Sequence, residues 1–239
     1  MANDAYELII EGPGRNALGT AVMQRLLSGL RDGGGRPLLL RGAGDTFSAG
    51  LDLKEVAGLE APAMERYLLL LDDLIDALYG YPGPTVAAVN GHAIAGGCVL
   101  ALCCDLRVMA DDPRLRIGLN EVALGLEFPP KILTLARRRV PRRWIDRVVL
   151  EAGLHAPETA RELGLVDELA GDCLGTARER LAALAAHAPR VYAATKQTLR
   201  GGALELSDGE RRRFHDTVVP AWCAPETKAR IRAVLERRR

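Results

Sequence analysis

Between Thr85 and Cys104 the chain runs from an apolar strand, Thr85-Val86-Ala87-Ala88-Val89, into Asn90-Gly91-His92-Ala93-Ile94-Ala95-Gly96-Gly97, and then directly into an apolar helix. A strand without polar alternation has to be covered on both faces, which points to a mostly parallel α/β architecture. The helix, predicted over Gly97 to Cys104, is apolar on nearly all sides and must therefore be central and rigid. Glycines at its start let backbone N–H groups approach a ligand closely, and the helix dipole adds partial positive charge there. A second Gly-containing turn, Phe47-Ser48-Ala49-Gly50-Leu51-Asp52-Leu53, follows the apolar run Pro37 to Leu40 and can supply another such N–H. One carboxylate, Glu121, follows in Ile117-Gly118-Leu119-Asn120-Glu121-Val122-Ala123-Leu124-Gly125-Leu126. Two donors and one carboxylate describe proton transfer next to a carbonyl.

The rest of the chain alternates short apolar runs with longer helical patterns. Strands are predicted at Tyr6 to Ile10, Pro37 to Leu40, Thr85 to Val89, Leu106 to Ala110 and Leu115 to Gly118. Helices are predicted from about Gly19 to Arg31, before the stop Gly33-Gly34-Gly35, and over Ala61 to Tyr79, where Met64, Tyr67, Leu68, Leu71, Leu74 and Leu78 recur at helical spacing. Everything after Gly118 reads as helical, with Pro157 opening a helix that ends at Leu163. Beyond Gly171 the pattern becomes amphipathic and rich in Ala and Arg, so a boundary is placed there: a core over residues 1–170 and a helical region over residues 171–239.

Composition narrows the function classes. Basic and acidic residues nearly balance at 32 against 31, so there is no global field for nucleic acid or an anionic membrane. The runs Arg137-Arg138-Arg139 with Arg142-Arg143, and Arg211-Arg212-Arg213, read as solvated helix faces. Five cysteines, three of them in or at the end of one apolar helix, are expected to be buried reduced thiols, and neither they nor the four histidines show metal-ligand spacing. No leader or membrane-length apolar run is visible, and the chain ends Arg237-Arg238-Arg239 rather than in a peroxisomal address, so a cytoplasmic location is expected.

Phe47-Ser48-Ala49-Gly50-Leu51-Asp52-Leu53-Lys54, taken with Ala87-Ala88-Val89-Asn90-Gly91-His92-Ala93-Ile94-Ala95-Gly96-Gly97-Cys98, resembles the enoyl-CoA hydratase/isomerase (crotonase) superfamily. The likeness runs from Asn16-Ala17-Leu18 to Ala160-Arg161-Glu162-Leu163-Gly164-Leu165-Val166-Asp167. It implies a spiral of ββα turns with a C-terminal helical trimerisation region, giving a homotrimer or hexamer. It also implies an acyl-CoA or acyl-carrier-protein thioester as substrate, with coenzyme A part of that substrate and no separate cofactor. Carried onto this chain, the oxyanion hole falls on the backbone N–H groups of Leu51 and Gly96. Ala49, Gly50 and Asp52 would line the coenzyme pocket, Arg15, Lys54 and Lys196 would meet phosphates, and the acyl chain would lie against Val56, Leu68 and Phe128.

Hydratases of that superfamily use two glutamates; here the first position is Val99 and the second is Glu121. Hydration needs groups that orient and activate water as well as manage the proton at C2, whereas a single base can move a proton from C2 of a 3-enoyl thioester to C4. The resemblance therefore leans toward the Δ3,Δ2-enoyl-CoA isomerases, and Glu127-Phe128-Pro129-Pro130-Lys131 after the carboxylate agrees. The apolar flanks Leu119, Val122, Leu124 and Leu126 should raise the Glu121 pKa toward that of a useful base. Asn120 is a candidate orienting group, Glu127 a loop residue and His92 a structural one. Two other possibilities remain open at this point: another reaction on the same scaffold (hydration, decarboxylation, or a double-bond shift on a carrier protein), and a non-catalytic module that binds acyl thioesters or RNA.

Overall fold

The computed structural model describes residues 5–237, so Arg238 and Arg239 of the chain end lie outside the described residues. Among the described residues eight strands follow one another as β1 (Tyr6–Ile10), β2 (Leu38–Gly42), β3 (Thr46–Ser48), β4 (Thr85–Val89), β5 (His92–Ile94), β6 (Leu106–Ala110), β7 (Ile117–Gly118) and β8 (Glu168–Ala170). They form two sheets, ordered β1-β2-β4-β6-β8 and β3-β5-β7, with every strand pairing parallel. Each long strand of the middle of the chain hands over to a short strand of the second sheet and then to a helix: β2, β3, Leu53–Gly58; β4, β5, Gly96–Cys103. Repetition of this ββα unit winds the chain into a spiral.

β4 is central and all five of its residues are buried. Its side chains alternate between faces, as strand geometry requires. Val86 and Ala88 join Leu39 and Val108 in a small cluster closed by Cys173, Ala177 and Leu181 of the helix Cys173–Ala185. Ala87 and Val89 face the main core, built with helices Thr20–Gly33, Ala61–Tyr79 and Gly96–Cys103. The first helix beyond Gly171 packs on β2, β4, β6 and β8, on the face of the sheet turned away from the main core.

Three short strands depart from the sequence reading. β3 and β5 occupy segments expected to be turns, and β8 interrupts the stretch expected to be helical; all three are three residues long. The strand expected over Leu115 to Gly118 shortens to Ile117–Gly118. Among the described residues no helix is long and apolar enough to cross a membrane.

Arg137, Arg138, Arg142, Arg143 and the run Arg211-Arg212-Arg213 are exposed, as expected of solvated faces, and Arg139 is the exception. Arg139 turns inward and donates to the carbonyls of Leu102 (2.8 Å) and Cys104 (2.6 Å), while Arg200 donates to that of Cys103 (3.2 Å). A guanidinium at these carbonyls answers the negative end of the helix dipole. The C-terminal end of helix Gly96–Cys103 is held by these cations, and its N-terminal end is free to meet a ligand.

Candidate active site

Two turns meet at the start of that helix. In the first, Gly50 adopts φ +86°, and a Cβ there would stand 2.8 Å from the Ile94 carbonyl and 3.2 Å from Gly96 N, so only glycine fits. In the second, Ala95 carries φ +48° and ψ −114°, a strained conformation for a residue with a side chain, which sets the direction of the Gly96 N–H. A Cβ built on Gly96 would lie 3.6 Å from Leu51 N, so the two amides are neighbours. Among the described residues neither has an acceptor of its own: Leu51 stands outside the helices and strands, and Gly96 is the first residue of its helix.

The first turn is held from below. Asn16 donates its side-chain amide to the carbonyls of Ala43 (2.9 Å) and Thr46 (2.7 Å), and Ser48 Oγ donates to the Asn16 carbonyl (2.8 Å). Leu18 and Leu51 form an isolated parallel bridge, with Leu18 N donating to the Gly50 carbonyl at 2.8 Å. The Asn16-Ala17-Leu18 turn therefore fixes the backbone that presents Leu51 N.

A cavity opens against both amides. Around the mouth stand Ala49, Leu51, Leu53, Ile94, Ala95 and Leu124, all partly exposed. Gly96, Asn120 and Glu121 follow, and Leu71, Leu126, Pro129, Ile132 and Trp222 complete an apolar wall. Among the described residues, Glu121 is the one carboxylate in this lining. It precedes a single 3₁₀ turn, Val122–Leu124, and its side chain makes no cap. The residue is 4 % exposed and its Oε2 has no hydrogen-bond partner. Burial raises its pKa from the usual 4.5 to about 7. Asn120, whose Oδ1 is also buried without a partner, stands beside it.

Several expected contacts lie elsewhere. Asp52 accepts from Lys54 N (2.9 Å) and Glu55 N (3.4 Å), so its carboxylate is spent on capping helix Leu53–Gly58. Val56, Leu68 and Phe128 are buried in the core and do not line the cavity. Lys196, read as a phosphate contact, is corrected: its Nζ donates to the Gly83 carbonyl and Asp105, both at 2.9 Å, inside a buried network with Arg200. Arg15 and Lys54 have exposed side chains, and the Arg15 carbonyl accepts from Ala49 N at 3.0 Å, which places that backbone against the first turn. His92 Nδ1 accepts from Arg116 N at 3.0 Å in a structural role, and Glu127 pairs with Arg213. Trp222 was not foreseen; it reaches the cavity from the C-terminal helices, and its one local signal is a large apolar side chain.

Two unpaired amides beside one desolvated carboxylate, on an apolar cavity, can hold an oxyanion and carry a proton between neighbouring carbons. The enoyl-CoA hydratase/isomerase family model matches residues 8–238. The chain belongs to that family. As an enoyl-CoA hydratase/isomerase family protein it is 36 % identical to a Thermus thermophilus protein provisionally named enoyl-CoA hydratase, over 94 % of this chain and 91 % of the other. Over 52 % of the chain it is 41 % identical to mouse mitochondrial enoyl-CoA delta isomerase 1, covering 43 % of that protein. The crystal structure of human mitochondrial Δ3,Δ2-enoyl-CoA isomerase superposes with a TM-score of 0.92 at 27 % identity, covering 99 % of this chain and 95 % of the other. The fold of this family member is thus the crotonase fold, while the names among its relatives include both hydratases and isomerases.

Proposed function

We propose that this enzyme shifts the double bond of a 3-enoyl thioester to the 2-position, with Glu121 as the sole acid–base group. The thioester oxygen accepts from Leu51 N and Gly96 N. Glu121 takes the proton from C2, the electron pair spreads over a dienolate whose oxygen the two amides stabilise, and the same carboxyl returns the proton to C4, leaving the C2–C3 double bond. The observation that carries this reading is the lone carboxylate in the cavity lining, raised to about 7 by burial and beside two acceptorless amides. Val99, buried and apolar, stands at the position that the resemblance gives to the first of the hydratases' two glutamates.

Ala49 lines the entry for the pantetheine arm, Gly50, buried and outside the lining, shapes the turn behind it, and Arg15 and Lys54, exposed near the first turn, meet the coenzyme phosphates. Val191 and Leu199, exposed on helix Pro189–Arg200, support assembly into a trimer or hexamer, which light scattering tests. Hydration is the second reading, favoured by the names of several relatives. Separate incubation with 3-enoyl-CoA and 2-enoyl-CoA, followed by product analysis, decides between them. Isomerisation predicts 2-enoyl-CoA from the first and little 3-hydroxyacyl-CoA from the second; comparable rates of both reactions overturn the one-carboxylate mechanism.

A further inference from the structure

The lining of the active-site cavity sorts by exposure. Its partly exposed residues mark the mouth, whereas Leu71, Leu126, Ile132 and Trp222 are at most 5 % exposed and mark a closed end. A thioester held at Leu51 and Gly96 points its acyl chain past Glu121 toward that end. Trp222 is the largest side chain there and arrives from the helix Val219–Cys223, which packs on helix Ala61–Tyr79, the element carrying Leu71. Its indole N–H donates to the Glu127 carbonyl at 2.7 Å, and Glu127 belongs to the segment that follows Glu121. A buried indole pinned at its polar edge has little freedom to swing aside.

We propose that Trp222 is the floor of the acyl pocket and sets the longest acyl chain this enzyme accepts. The inference rests on the thioester placement above, and it makes the C-terminal helices of the same chain a determinant of substrate length. Every methylene that fits between Glu121 and the indole should strengthen binding by about fourfold, the value of burying one CH₂. The first methylene that does not fit has to displace a packed ring, so affinity should stop rising or fall.

Binding of saturated acyl-CoAs, from butanoyl to hexadecanoyl, measured by calorimetry tests this without requiring turnover. Wild type should show a break in affinity along the series, and Trp222→Leu should move that break to longer chains. An affinity that climbs without a break to hexadecanoyl, or a break that stays in place in a folded Trp222→Leu protein, overturns the proposal. A second measurement avoids truncating the core. With Trp144→Phe, Trp222 is the remaining tryptophan, and its fluorescence should change on binding only with chains long enough to reach the ring; an indole blind to every bound acyl-CoA overturns the proposal as well. If the break moves but 3-enoyl-CoA is not isomerised, the floor stands and the reaction assignment falls.

Discussion

The pH dependence of turnover gives the sharpest test of Glu121. Its carboxyl is raised to about 7 because burial strips water from the charged form, and no cation offsets that loss. A general base works only when deprotonated, so activity should be lost as pH falls through the raised pKa. With a pKa of about 7 the ionised fraction is about 10 % at pH 6, half at pH 7 and about 90 % at pH 8, so kcat/KM should rise about tenfold from pH 6 to pH 8. A carboxylate at its ordinary 4.5 would already be about 97 % ionised at pH 6 and would give a flat profile. The assay follows conversion of a 3-enoyl to a 2-enoyl thioester by the ultraviolet absorbance of the conjugated product. A pantetheine thioester, which carries no coenzyme phosphates, removes substrate titration, and protein held at each pH and assayed at pH 8 controls for inactivation. Asp72 is the confounding group: it too is raised to about 7, chiefly by desolvation, but it does not line the cavity. Asp72→Asn should therefore keep the profile. A kcat/KM that is flat between pH 5.5 and pH 8.5 in stable protein would refute the role of Glu121 as a desolvated base.

Glu121→Gln keeps the shape and removes the base, so turnover should fall by about 10²- to 10⁴-fold with the unfolding midpoint at pH 8 not lowered; near wild-type turnover excludes the residue. Asp72, buried with an unpartnered Oδ1, keeps its proton up to about pH 7 in the native state but loses it near 3.8 when unfolded. Between those values the native state binds more protons, so its stability declines as pH rises, by about 4 kcal/mol in all. Asp72→Asn lifts that penalty, and its advantage over wild type in urea unfolding should grow from pH 4.5 to pH 8; an advantage that is constant with pH refutes the linkage. Gly50→Ala puts a Cβ 3.2 Å from Gly96 N at φ +86°. Displacing one oxyanion donor should lower kcat by about 10²- to 10³-fold in folded protein, and an unchanged kcat would separate that turn from the chemistry.

The long elements were legible because their patterns are local. Tyr6–Ile10, Thr85–Val89, Leu106–Ala110 and Ala61–Tyr79 fall where apolar runs and helical spacing place them. The three-residue strands β3, β5 and β8 were not, because so short a segment has no period and is defined only by a partner distant in sequence. Lys196 was misread for a related reason: its carboxylate partner, Asp105, lies 91 positions away, and nothing local marks a lysine as buried. The rise in the Glu121 pKa was foreseen from its apolar flanks, yet the flanks act unequally. Leu119 and Leu126 are buried, whereas Val122 is 45 % exposed. Ala95 is the clearest limit, since its positive φ leaves no mark in its identity.

The polar inventory of the cavity also bears on which reaction it favours. Apart from Glu121, the side-chain polar groups in its lining are the Asn120 carboxamide and the Trp222 indole N–H, and the remaining polar contacts are backbone amides. A water positioned for addition at C3 needs two to four polar partners, and so does any ordered water in a buried site. Beyond Glu121 the lining is Leu71, Leu126, Pro129, Ile132 and Trp222, none of which offers a partner except the indole N–H, already committed to the Glu127 carbonyl. Val99 offers none either: it is fully buried and outside the lining. A proton needs no such cage, because the carboxyl that removes it can hold it until C4 accepts it. Glu121 and Asn120 together offer a water two side-chain partners, the lower end of what an ordered buried water needs, whereas the proposed proton transfer needs Glu121 alone, so the proposed isomerisation makes the smaller demand on this lining.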